Sequence, residues 1–217
     1  MWIELMYALL AYLMGSIPFA ILVGRKFYGI DVREHGSCNA GATNVFRVLG
    51  KGPGTVVLLL DIMKGFFAVQ LAYLMSKVGG GAGAVVRLES FFSPVIFGIL
   101  AVVGHMLPVF AKFKGGKGVA TLFGMIIALD PRVAGLGLLV FVIVNIFTGY
   151  VSVGSIVAGL SIPVLFVGVF GYSDLSLVVF SLAVAALVVY THRKNIKRLM
   201  AGEEMKSRIL VKKGVKS

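Results

Sequence analysis

The chain has 217 residues, 59% of them hydrophobic and only 14% charged, with a formal net charge of +12 and a mean hydropathy of +0.98. A soluble globular domain carries about 25% charged residues, so this composition excludes a water-soluble domain and points to an all-α, polytopic membrane protein. Cys38 is the single cysteine and the three histidines are scattered, which excludes an internal disulfide framework and leaves no credible metal site.

In chain order, the first apolar run is 5–24. It spans a bilayer by length, is too long for a signal-peptide core and lacks a basic segment before it, so it is expected as a retained transmembrane helix. Further runs follow at 55–76, 91–111, 119–129, 133–147, 153–171 and 175–190, giving about seven spans. The runs 119–129 and 133–147 are short and are separated at Asp130 and Pro131, because proline restricts the residue before it; a re-entrant pair or six spans is the alternative. Short connections are expected at 148–152 and 172–174, and a flexible glycine-rich loop at 79–83.

In a membrane protein an excess of Lys and Arg is first a topology signal, not a sign of nucleic-acid binding. With the N-terminus outside, segments 25–54, 112–118, 148–152 and the tail from His192 are inside, and they hold 17 of the 21 basic residues. The outer segments hold Lys77, Arg87 and Arg132, while Lys64 lies within a span. The expected orientation is therefore N-out and C-in. Residues 1–204 are read as one integral membrane domain and 205–217 as a basic cytoplasmic tail attracted to anionic lipid. No nucleic-acid partner and no obligate protein partner is indicated.

Three polar clusters then fall on the cytoplasmic side. The first, His35 to Arg47 (HGSCNAGATNVFR), gathers Ser37, Asn39, Thr43, Asn44 and Arg47, with Gly36 and Gly41 relaxing the backbone. Hydroxyls, amides and an arginine in a tight loop suit phosphate or carboxylate oxygens. The second, Phe113 to Thr121 (FKGGKGVAT), sets Gly115, Gly116 and Gly118 among Lys114 and Lys117, just before a helix beginning near Val119. That combination makes an anion nest facing a helix N-terminus; a flexible basic turn is the competing reading. It departs from a nucleotide P-loop, with Lys112 four residues before Gly116 and Gly118 after the lysine. The third, Thr191 to Glu204 (THRKNIKRLMAGEE), places His192 and Asn195 on one helix face. Asp61 and Lys64, three apart inside the second span, read as a mutual ion pair. His105 and Asn145 read as packing residues.

Absences sharpen this. There is no Gly-x-Ser-x-Gly elbow, and no histidine is followed five positions later by aspartate, the signature of many thioester-dependent acyltransferases. A transporter for a phosphorylated metabolite would place polar groups near midplane on repeated, broken helices, whereas no internal repeat is visible. A membrane scaffold acting through its basic tail would leave the clusters unused.

Taken in order, GSIP at 15–18, GSCNAGATNVFR at 36–47, DIMKG at 61–65, GHMLPVFAKFKGGKGVAT at 104–121 and HRKNIKRLMAGEE at 192–204 resemble the bacterial acyl-phosphate-dependent glycerol-3-phosphate acyltransferases over nearly the whole chain. The resemblance implies a bacterial inner-membrane enzyme of phospholipid synthesis with seven helices and a cytoplasmic active site. It would move a fatty acyl group from acyl-phosphate to the 1-position hydroxyl of glycerol 3-phosphate, giving lysophosphatidic acid and phosphate. It would need no cofactor and no metal. On the same implication Ser37, Arg47, His192 and Asn195 are catalytic. Asn39, Thr43, Asn44, Lys114, Gly115, Gly116, Lys117, Gly118, Val119, Ala120, Thr121, Ser152 and Glu204 would bind substrate. Cys38 stands where the family carries glycine, Thr191 where it carries a basic residue, and the tail outruns the resemblance. An acyl-phosphate is already activated, so direct attack needs two anion sites and alignment but no covalent enzyme intermediate. The proton can go to His192 or to a substrate phosphate oxygen.

Overall fold

The computed structural model describes residues 2–80 and 94–206, with side chains for all of these but 76–80. Among the described residues every regular element is helical. They form two compact units, Met1–Ala134 and Gly135–Ser217. Gly79 and Gly80 close a long helix, whereas 81–83, Arg87 and the tail from 207 lie outside the described residues, as does the side chain of Lys77.

In the first unit, α1 (Trp2–Ser16) and α2 (Phe19–Tyr28) are two halves of the expected first span, bent by 44°. Pro18 causes the break, since it has no N–H and cannot continue the helix. The carbonyl of Ile17 is taken by Lys64 Nζ, which donates to it at 3.0 Å. A short helix α3 (Ala42–Val48) leads into α4 (Lys51–Gly80). Along α4, Leu59, Met63, Phe67 and Leu74 are exposed, while Val57, Asp61, Ala68 and Ala72 on the other face are buried. That is the pattern of a helix whose greasy face meets lipid and whose small or polar face meets protein.

Helices α5 (Pro94–Met106) and α6 (Val119–Leu129) complete the unit. Small residues allow the close approaches, as is usual where lipid tails compete with apolar side chains. A Cβ on Gly15 would strike the backbone of Ala101, and one on Gly104 the carbonyl of Tyr12, so α1 and α5 touch at these points. Likewise a Cβ on Gly65 would strike the Thr121 carbonyl, and one on Gly124 the Ile62 carbonyl, which seats α6 against α4. At 11 residues, α6 is about 16 Å long, roughly half the hydrocarbon thickness. Among the described residues four helices are long and apolar enough to cross a membrane, or up to six when each bent pair counts as one span. The expected seventh crossing would be α6, which does not reach that length by itself.

The second unit holds α7 (Pro131–Thr148) from Gly135 onward, α8 (Val151–Pro163) running on through a wider turn at Val164–Val169, α9 (Leu175–Thr191) and α10 (Arg193–Met200). The helix boundaries at Asp130 and Asp174 are chemical stops. Asp130 Oδ1 accepts from the Arg132 backbone N–H at 2.8 Å, with Pro131 at the first helical position, and Asp174 accepts from Leu177 N–H at 3.0 Å. Gly159 lets α8 lie against Val188 of α9, and Phe166 meets Phe180 and Tyr172 edge-on. Helices α9 and α10 are bent by 53°, and the residue at the bend is His192.

Candidate functional site

The first polar loop is braced from inside. Asp31 caps a 3₁₀ turn, Val32–Glu34, and takes Arg33 and Arg25 together: Arg33 donates at 2.7 Å and Arg25 at 2.8 Å. The Arg33 hydrogen bonds dominate over burial and hold the Asp31 carboxyl far below the usual carboxylate range, and Asp31 in turn raises the Arg33 guanidinium. Arg33 Nη1 also donates to the Ala111 carbonyl at 3.3 Å, which ties this loop to the segment before the glycine-rich loop.

Asn44, expected as a substrate ligand, is instead the inner strut of the loop. It is 1% exposed. Its Oδ1 accepts from Ser37 N–H at 2.8 Å and from Ser37 Oγ at 3.1 Å, and its Nδ2 donates to the carbonyls of Val32 (2.7 Å) and His35 (3.0 Å). That uses the full capacity of an amide. Ser37 therefore faces an amide, not a base, and lacks the activation a serine nucleophile needs. Ser37, Asn39, Thr43 and Arg47 are half-buried around this strut. Cys38 has φ of 56°, a left-handed conformation that glycine adopts freely and a side chain resists. The glycine expected from the resemblance would suit it.

The glycine-rich loop is seated on that first loop. Gly118, with φ of 79°, is the cap of α6, and the first turn leaves the amide groups of Val119 and Ala120 without i−4 helical partners. Gly115 and Gly116 serve differently from the expected nest. Their N–H groups donate to the carbonyls of Met106 and His105, both at 3.2 Å. Neither has positive φ; both are glycine because there is no room for a Cβ. At Gly116 a Cβ would collide with His105 Nε2 and come within 3.0 Å of the Ala40 carbonyl. Lys114 is exposed and Lys117 half-buried. Thr121, also expected as a ligand, is fully buried, with Oγ1 3.2 Å from His105 Nδ1.

In the second unit a second polar set surrounds Glu204. Asn195 Nδ2 donates to Glu204 Oε1 at 2.6 Å, Ser152 Oγ donates to the same oxygen at 2.8 Å, and Arg198 Nε donates to Oε2 at 2.7 Å. Burial raises the Glu204 pKa, but the Arg198, Asn195 and Ser152 hydrogen bonds outweigh it and hold the carboxyl below its usual range. Glu204 is thus an ionised acceptor whose oxygens are occupied by protein, an anchor for Asn195 and Ser152 and not a partner for phosphate. His192 is 3% exposed, and its Nδ1 lies 2.8 Å from the Val188 carbonyl. A carbonyl only accepts, so Nδ1 carries the proton and Nε2 is the accepting nitrogen.

His105, read as a packing residue, is buried and also meets the expected ion pair. Its Nδ1 lies 3.4 Å from Asp61 Oδ1, which is itself 2.9 Å from Lys64 Nζ. The expected Asp61/Lys64 pair is present, with His105 beside it. The only signal in the sequence was a histidine close to the glycine-rich loop.

Fold and site define a class first: a polytopic helical membrane protein with two polar clusters at helix ends and the loops joining them, and an ion pair within a span. Within that class, the chain belongs to the glycerol-3-phosphate acyltransferase family, whose pattern its residues 5–202 match. It is 41% identical over 198 residues to glycerol-3-phosphate acyltransferase 2 of Bacillus anthracis, covering 91% of this chain and 96% of that one. It is 44% identical to the Geobacillus kaustophilus glycerol-3-phosphate acyltransferase, covering 91% and 93%. The crystal structure of PlsY (YgiH), an integral membrane glycerol 3-phosphate acyltransferase, in its glycerol 3-phosphate form matches with a TM-score of 0.81 at 40% identity, covering 95% of this chain and 96% of that one. Its lysophosphatidic acid form gives 0.78. The family resemblance read from the motifs holds.

Proposed function

We propose that this chain transfers a fatty acyl group from an acyl-phosphate directly to the 1-position hydroxyl of glycerol 3-phosphate, in a bacterial inner membrane with its polar loops on the cytoplasmic side. The observation that carries this reading is the seating of one anion-suited loop on another within the first unit, with Gly116 against the Ala40 carbonyl. A donor and an acceptor that each bear a phosphate require two such sites. The hydroxyl oxygen bonds to the acyl carbon, the bond from that carbon to the phosphate oxygen breaks, and the electron pair leaves with phosphate.

Each group then has a role. Arg47 offers a planar fork to phosphate oxygens, with Ser37, Asn39 and Thr43 as hydrogen-bonding neighbours. Lys114, Lys117 and the amides of Gly118, Val119 and Ala120 attract the second anion. His192 Nε2 accepts the hydroxyl proton, and Asn195 and Ser152 are held in place by Glu204. Purified protein given both substrates should release phosphate and form lysophosphatidic acid in equal amounts. Given acyl-phosphate alone, its intact mass should stay unchanged. A stable acyl adduct on Ser37 or Cys38 would overturn direct transfer, and the thiol is the stronger nucleophile of the two.

The charge distribution supports N-out and C-in, which requires α6 to complete a seventh crossing. A short helix can do so when its ends are buried in protein, because non-helical backbone is tolerated at membrane depth only there. In a Cys38→Gly background, a cysteine at Ile3 should react with an impermeant reagent on intact cells and one at Gly202 should not. Reaction of both, or of neither, would give an even number of spans and remove this topology.

A further inference from the structure

A buried ion pair with a histidine beside it is costly inside a membrane protein, and charged side chains there generally serve function. The acyl-transfer chemistry above makes no use of Asp61, Lys64 and His105. Their exposures are 1%, 5% and 6%, and Thr121, beside them, is 0% exposed. The four come from three helices, α4, α5 and α6, and they meet because Gly65 and Gly124 let α4 and α6 touch backbone to backbone. Lys64 also donates to the carbonyl of Ile17 at the Pro18 break, which accepts the Phe19 N–H as well. The set is therefore anchored on three helices and on the break between α1 and α2.

Its contact with the glycine-rich loop is made by His105. His105 Nδ1 is hydrogen-bonded to Thr121 Oγ1 at 3.2 Å and lies 3.4 Å from Asp61 Oδ1, which turns the opposite edge of the ring, Nε2 and Cδ2, onto Gly116. The same residue's carbonyl accepts the Gly116 N–H at 3.2 Å. Gly116 is thus gripped twice by His105, by main chain and by ring, and faces the Ala40 carbonyl of the first polar loop at the same point.

We propose that His105 is a positioning residue for the glycine-rich loop, and that Asp61, Lys64 and Thr121 serve to hold its ring against Gly116. The role rests on the reading of that loop as an anion site. Polar anchoring explains why an imidazole stands here where an apolar ring would cost less to bury: hydrogen bonding at Nδ1 fixes the ring's direction, as packing alone does not. A loop displaced by an ångström can cost up to about 10²-fold in rate, so a rigid seat has a catalytic consequence without touching substrate.

The test is a double-mutant cycle on the full-length protein, read as KM for each phosphate substrate and as kcat. Gly116→Ala should raise KM for one phosphate substrate by about tenfold or more, because the new methyl meets the ring and shifts the loop. His105→Ala should raise the same KM. The double variant should match His105→Ala to within about threefold, since the methyl then occupies the space the ring left. A double variant showing the product of both effects, or a His105→Ala variant with unchanged KM, overturns the proposal while leaving the anion loop intact. An unimpaired Gly116→Ala overturns both. Should His105→Ala not fold, His105→Asn replaces it in the cycle: it keeps a polar group for Asp61 and Thr121 and removes Nε2.

Discussion

Replacing His192 by asparagine should lower kcat by roughly 10²–10³-fold while leaving the protein folded, because it removes one nitrogen and keeps the other's bond. The imidazole sits at the bend between α9 and α10, 3% exposed, with Nδ1 2.8 Å from the Val188 carbonyl. An asparagine amide can donate to that carbonyl in place of Nδ1, so the bend keeps its hydrogen bond. It has nothing in the position of Nε2, and an amide nitrogen does not accept a proton. His192→Ala loses both groups, and the comparison separates structure from chemistry. The expected outcome is an unchanged thermal midpoint for His192→Asn in detergent with kcat at saturating substrates reduced as stated. A His192→Asn enzyme with near-normal kcat would move the proton to a phosphate oxygen of the substrate.

The helices were legible in the sequence, and the reasons are local. A bilayer asks for about 20 apolar residues, and Pro18, Asp130, Pro131 and Asp174 punctuate such runs by chemistry that depends only on neighbours. The motifs were also legible, since polar loops in an apolar chain stand out. What could not be read was which member of a motif points outward. Asn44 and Thr121 look like ligands in a linear motif, yet Asn44 spends its amide on Ser37 and two carbonyls, and Thr121 turns to His105. The glycines illustrate the same limit. Gly118 is needed for its positive φ, a local property, whereas Gly116 is needed because an imidazole from α5 lies over it. His105 is linked to Asp61 across 44 positions of sequence, and no periodicity within one helix can announce such a contact.

The buried acid of the second unit gives the other large effect, and there both structure and pH response can be derived. Glu204 accepts three hydrogen bonds, two of them, from Ser152 and Asn195, on one oxygen. Its side chain is 2% exposed beside Arg198 at 32%. Glutamine has the same shape but offers a single accepting oxygen. If that oxygen faces Ser152 and Asn195, its NH₂ confronts the Arg198 Nε–H, donor against donor; turned round, its NH₂ confronts the Asn195 Nδ2 donor, and Ser152 has to turn its hydroxyl from donor to acceptor. Each buried donor without a partner costs about 1–3 kcal/mol, so Glu204→Gln should lower stability by about that much and loosen Asn195. The expected kinetic result is a drop in kcat of about tenfold or more as that amide loses its fixed direction. The carboxyl is held below its ordinary range, so the wild-type advantage is fully present above the unfolded carboxylate pKa of about 4.3. It disappears as pH falls through the lower folded value. Thermal midpoints of wild type and Glu204→Gln should therefore differ by a constant amount from pH 5.5 to 8 and converge only in stronger acid. A gap that closes already between pH 5.5 and 8 would mean that Glu204 is protonated there and cannot be the anchor for Asn195 described above.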